Sequence, residues 1–309
     1  MVAMTSNLAR CVAPLLSVCA ILGAGCGGDT SDASPQQTAT SSATAPAARS
    51  RAPGPAAGGT AGAASGPIDP SGRAGLPADV TWQWQIEGVV DIGYEVDLYD
   101  IDLADTPVST IDELHEAGRT VICYFSAGSY EGWRDDADRY PPAAIGEALD
   151  GWPDERWVDV RNDAVRAILA DRLDLAVAKG CDGVEPDNVA GYDDDNGFGF
   201  SFDDQLDFNR FLAAAARERG LLIGLKNALG QIPDLVDHYD FAVNEQCHDY
   251  EECEAYGPFL AAGKPVLNAE YAERFVADPE ALCAMAEAAG TRTLLLSADL
   301  DDSLRIACF

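Results

Sequence analysis

The chain has 309 residues, 47% of them hydrophobic, and carries 52 acidic side chains against 20 basic ones, a formal net charge of −32. A surface this acidic repels nucleic acid and anionic lipid and favours cationic partners, with tuning for solubility or salt as the plain alternative. Residues 1–79 hold four basic and four acidic groups, so the whole excess falls on the 230 residues that follow.

Taken from the start, residues 1–10 carry one basic side chain, Arg10, and lead into an apolar stretch over 12–25 that ends in small residues before Cys26. That order describes a secretory signal over residues 1–26, because a membrane span takes about 20 apolar residues. Leu22-Gly-Ala-Gly-Cys26 is similar to a bacterial lipoprotein cleavage site, with Gly23 where Leu is usual. A lipid anchor at Cys26 on a secreted or cell-surface protein is therefore expected, a freely secreted chain being the alternative. Residues 27–79 are mostly Ala, Gly, Ser, Thr and Pro without apolar periodicity. They cannot bury enough surface to offset the entropy of ordering and read as a disordered linker.

Residues 80–309 form one domain-sized block. Strand-like runs fall at 82–85, 98–101, 121–125, 183–186, 222–226, 241–244, 266–270 and 294–298. Helical spacing lies between several of them: Val165, Ile168, Leu169, Leu173 and Ala176 are stopped by Gly180, and Phe208, Phe211, Leu212 and Ala215 are capped by Ser201 and stopped by Gly220. Eight strands with interleaved helices fit a (β/α)8 TIM barrel of class α/β better than an open sheet. A ninth strand-like run at 157–160 is read as a short extra segment within the long third connection.

Six cysteines lie in the block: Cys123, Cys181, Cys247, Cys253, Cys283 and Cys308. An even count in an exported chain favours disulfides over zinc, since no CxxC pair or histidine at ligand spacing accompanies them. Cys247 with Cys253 can staple one loop, and Cys283 with Cys308 can fasten the last helix to the C-terminal segment.

Barrel strands are buried, so charge at their C-terminal ends is costly unless it is functional or paired. Seven strand ends share that habit, which points to a polar pocket on the C-terminal face. From them Asp102, Tyr124, Asn188, Lys226, Asn244, Glu270 and Asp299 are taken as substrate-binding. The two sharpest pieces, Cys181-Asp-Gly-Val-Glu-Pro-Asp-Asn188 and Asn244-Glu-Gln-Cys247, put Asp187 and Glu245 just beyond short apolar strands. Glycoside hydrolysis needs two such carboxyl groups facing the scissile bond, while the bland reading makes each a structural partner of Lys226 or Arg161. His115, His238 and His248 form no ligand set, Asp193-Asp-Asp-Asn-Gly197 lacks the alternation of a calcium loop, and neither metal nor cofactor is expected. Trp82, Trp84, Tyr124, Trp133 and Tyr192 are candidate platforms for sugar rings, or else core residues.

Trp82-Gln-Trp-Gln85, Tyr99-Asp-Ile-Asp102, Cys123-Tyr-Phe-Ser-Ala-Gly128, Glu185-Pro-Asp-Asn188, Gly224-Leu-Lys-Asn227 and Asn244-Glu-Gln-Cys247, in this order, resemble glycoside hydrolase family 114, the endo-α-1,4-polygalactosaminidases. The resemblance implies a barrel and endo-cleavage of α-1,4-linked galactosamine polymers, with the family's two acidic residues matching Asp187 and Glu245. Unacetylated galactosamine carries an ammonium, so the implied partner is a cationic polysaccharide that an acidic cleft would attract. Lys226 would repel such a sugar and is expected to pair with a carboxylate. The division of roles stays open, with Glu245 preferred as acid/base and Asp187 as nucleophile, in a monomer. The rivals are a lectin-like barrel that binds aminosugar polymer without cutting it, and a hydrolase of another glycan.

Overall fold

The computed structural model describes residues 75–309. The expected signal, the anchor at Cys26 and most of the expected linker lie outside these residues. The packed block begins ahead of Val80, the start expected from composition, because Leu76 is buried in the same apolar cluster as Val80, Trp82 and Leu294.

Eight parallel strands follow one another round the sheet: β1 (Trp82–Gln85), β2 (Leu98–Asp102), β3 (Thr120–Ser126), β7 (Gly183–Asp187), β8 (Leu222–Lys226), β9 (Phe241–Glu245), β10 (Val266–Glu270) and β11 (Arg292–Leu296). The first seven contain the expected runs, some with a residue added at an end; β11 starts two residues earlier than expected. The connections carry helices, the longest being Asp163–Lys179 and Phe202–Glu218. Asn162 accepts from the Ala164 N–H to start the first, and Gly180, at φ 91°, ends it. Ser201 and Asp204 form a capping box at the start of the second.

The pleat sorts side chains by parity. Trp82, Trp84, Leu98, Ile122, Leu222, Phe241, Val243, Leu267, Ala269 and Leu294 gather in one cluster inside the barrel. Their neighbours in sequence, among them Tyr99, Val121, Cys123, Ile223 and Ala242, join the larger core between strands and helices. Gly224 is needed inside, since a Cβ there would lie 2.4 Å from the Phe241 ring.

Two parts of the sheet structure depart from expectation. The run at 157–160 is not a lone segment: β6 (Trp152–Val158) is the central strand of an antiparallel sheet with β4 (Ser129–Glu131) and β5 (Ile145–Leu149). Asp150-Gly151 links β5 to β6 as a two-residue hairpin, with Gly151 at φ 84°. The barrel seam carries a further strand, β12 (Arg305–Ala307), antiparallel to β11. From it the Arg305 guanidinium reaches β1, donating to the Trp82 carbonyl at 3.0 Å and to the Gln83 side chain. Disulfides join Cys123 to Cys181, Cys247 to Cys253 and Cys283 to Cys308; the last two pairs are those that spacing favoured.

Candidate active site

Three neighbouring strands end in charge: β7 in Asp187, β8 in Lys226 and β9 in Glu245. The residue after each, Asn188, Asn227 and Gln246, has a positive φ of 59°, 48° and 64°. This left-handed step turns the chain sharply out of the strand and leaves the preceding side chain at the barrel mouth. The end of β3 is drawn in by the Ala127 and Gly128 N–H groups, which donate to the Asp187 carbonyl at 2.9 and 3.1 Å. Only glycine allows this approach, because a Cβ on Gly128 would stand 1.7 Å from the Asn188 carbonyl oxygen.

Lys226 occupies the centre. Its Nζ lies 3.1 Å from Asp187 Oδ1, 3.2 Å from Glu245 Oε2 and 3.4 Å from Glu185 Oε1. Burial pushes its ammonium down, but Asp187, Glu245 and Glu185 reverse this and raise it well above the usual lysine value, so it stays charged. Asp187 also accepts from the Tyr124 hydroxyl at 3.2 Å and the Asn188 N–H at 2.7 Å. Glu245 accepts from the Tyr271 hydroxyl at 2.7 Å and from Asn227 at 3.3 Å. Burial alone would raise the Glu245 carboxyl; Lys226, Tyr271 and Asn227 outweigh it and hold the group below its ordinary value.

Tyr124, Asp187, Asn188, Lys226, Asn227 and Glu245 line a cavity of about 700 Å³ whose walls include Glu87, Asp102, Glu131, Asp154, Glu155, Asp299 and Asp301. Trp133 and Trp152, 56% and 58% exposed, flank it from the small antiparallel sheet and its β4 end. A chain of hydrogen bonds through Asn188, Ser126 and Ser129 ends on Glu155, which Ser129 Oγ approaches to 2.5 Å.

Of the residues taken as substrate-binding, Asp102, Tyr124, Asn188, Lys226 and Asp299 line this cavity. Lys226 is nevertheless enclosed by carboxylates, so it positions them and does not offer itself to a sugar. Asp102 is likewise committed, to Arg134 at 2.8 Å. Asn244 and Glu270 do not reach the cavity, because strand parity turns both towards the helices. Asn244 donates to Tyr256 and Asn227. Glu270 accepts from the His248 N–H and from Asn268, holding the loop after β9. Trp82 is interior core and Tyr192 packs edge-on against Phe202, whereas Trp84, itself buried, lines the cavity with its ring 4.8 Å from Lys226 Nζ. Sequence reasoning missed Trp152, Glu155 and Arg134, and gave no role to Tyr271. The Asp150-Gly151 turn signal would have placed Trp152 and Glu155 on one hairpin, and alternation from Ala269 puts Tyr271 inside.

Two carboxylates at one polar cavity, on strands two apart, are the equipment of a barrel glycoside hydrolase. Glycoside-hydrolase family GH114 matches residues 62–308, and the chain belongs to that family. Aspergillus fumigatus Ega3, whose structure was solved in complex with galactosamine, is 41% identical, with a TM-score of 0.72 over 75% of this chain and 96% of Ega3. The glycoside hydrolase domain of PelA from Pseudomonas aeruginosa shares the fold at 18% identity and a TM-score of 0.60, over 75% of this chain and 99% of that domain. Among curated proteins, none matches the chain.

Proposed function

We propose that the cleft cuts glycosidic bonds within galactosamine-containing polymers, Glu245 acting as acid/base and Asp187 as nucleophile. The observation that carries this reading is one buried lysine touching two carboxylates on a single acidic cavity. The oxygens facing Lys226 can be no further apart than the sum of its two contacts, 3.1 and 3.2 Å. We read the pair as retaining, for which the carboxyl groups stand about 5–5.5 Å apart, as against about 6.5–9.5 Å in an inverting pair. Each carboxylate accepts from three donors, so hydrogen bonding does not rank them. Exposure does: the Glu245 side chain is 31% exposed and that of Asp187 18%. An acid/base must meet both the leaving group and the later water, which suits the more open residue.

The substrate class is supported by the 41% identity to Ega3, solved with galactosamine, and by the cavity's excess of acidic over basic groups. Asp187→Asn and Glu245→Gln should each abolish release of new reducing ends from de-N-acetylated polygalactosamine while the protein stays folded. Near-wild-type cleavage by either variant removes that residue from the mechanism. Binding without cleavage by the wild type supports a lectin, and cleavage of a neutral glycan alone supports another substrate. Azide rescue of the Asp187→Ala variant should give a glycosyl azide of inverted anomeric configuration; the retained anomer would exchange the two roles.

We further propose that the protein works outside the cell, tethered through Cys26. Three disulfides in the block support an oxidising compartment. Labelled palmitate should enter the wild type and not a Cys26→Ser variant; equal labelling of both, or none, rejects the anchor.

A further inference from the structure

Two tryptophans stand in the open at the rim of the cavity. Of the five in the chain, Trp82, Trp84 and Trp157 are buried, whereas Trp133 and Trp152 are more than half exposed and belong to the cavity wall. A ring left in water forgoes the stabilisation that burial would bring, and here two do so on one wall. Neither ring rides on a loose segment. Trp152 opens β6 directly after the tight Asp150-Gly151 turn and pairs with Leu149 across the hairpin. Trp133 lies between Glu131 and Arg134, and the Arg134 guanidinium is held by Asp102 at 2.8 Å, Glu131 at 2.9 Å and Asp105 at 3.0 Å. That knot ties the turn carrying Trp133 to the end of β2, while β4 just before it pairs with β6. Asp154, two residues along β6 from Trp152, lines the same wall.

We propose that Trp133 and Trp152 form a rim subsite that stacks on sugar units flanking the scissile bond, with the Asp154 carboxylate drawing in their ammonium groups. The proposal rests on the reading of the cleft as one that cuts galactosamine polymers. Depth separates the rim from the chemistry: the side chains of Lys226, Asp187 and Glu245 are all less exposed than either ring. An endo-acting site receives a chain that runs on past the bond being cut, and the continuing units must cross the rim. Pyranose rings present apolar C–H faces to an indole, and an ammonium is attracted to the indole face. Because the backbone beneath both rings is already fixed, little ordering cost is left for binding to overcome. The two rings act on binding, with no part in breaking the bond.

Such a rim should sense chain length. For the wild type, KM should fall as de-N-acetylated galactosamine oligomers lengthen, and a double variant, Trp133→Ala with Trp152→Ala, should flatten that fall while kcat stays within about two-fold. On the longest oligomers KM should rise about ten-fold, a few-fold from each stacking contact. Replacing both by Tyr should restore most of the dependence. A wild-type KM independent of length, or a double variant that keeps the wild-type dependence, overturns the proposal. An equal loss at every length also overturns it, since that would place the rings at the scissile bond. Acrylamide quenching reads the same contact without turnover, because the two exposed tryptophans are the ones it reaches. Oligomer should shield the wild-type emission and shield nothing in the double variant. No shielding, or shielding that persists in that variant, rejects the rim even where cleavage is seen. Shielding without cleavage supports the rim and removes the catalytic assignment, so the two failures are told apart.

Discussion

Glu245 illustrates how a site is decided by a few contacts around one atom pair. The Lys226 ammonium, the Tyr271 hydroxyl and the Asn227 amide together hold its carboxyl below the ordinary value against the pull of burial. An acid catalyst must carry its proton and the Asp187 nucleophile must have lost its own, so kcat/KM should fall as pH rises through the pKa of Glu245. An ordinary Glu titrates at about 4.3, which puts the expected optimum below about pH 5. A rate profile flat from pH 5 to 8 would remove Glu245 from the acid role. At this scale the sequence was readable where a charge ended an apolar run, as at Asp187, Lys226 and Glu245. It misled at Asn244 and Glu270, which sit at strand ends of the wrong parity and serve hydrogen bonds behind the sheet.

Strands were the most legible elements, because a barrel strand buried on both faces is a short apolar run bounded by polar turns. What escaped was chemistry made by connections. The small antiparallel sheet, which brings Trp152 and Glu155 to the cavity wall, arises from β-pairs with an exposed, mixed sequence in which apolar alternation is weak. β12 is three half-buried residues, too short to register as a strand, and owes its place to pairing with β11 and to Arg305. Of the three left-handed steps, Asn188 and Asn227 use a residue that tolerates that conformation, while the one at Gln246 was invisible, since Gln has no special liking for it. Their recurrence behind Asp187, Lys226 and Glu245 ties backbone geometry to the cavity: the same turn that ends each strand aims its last side chain.

Across the whole molecule the net charge of −32 has a direction, because acidic side chains crowd the cavity as well as the outer surface. Attraction for a cationic polymer should weaken as the screening length falls from about 10 Å at 0.1 M salt to about 3 Å at 1 M. We expect KM for de-N-acetylated polygalactosamine to rise several-fold across that range, with KM for a fully acetylated polymer unchanged; equal effects on both would show that charge does not select the substrate. The barrel's closing seam carries a different consequence, in time. Trp82 opens the first strand, yet the Arg305 guanidinium that reaches its carbonyl lies more than two hundred residues later, beside the Cys283–Cys308 bridge. While the chain is threaded out in order from its N-terminus, the first strand waits at an open edge. The circle can be completed only after those last residues have emerged.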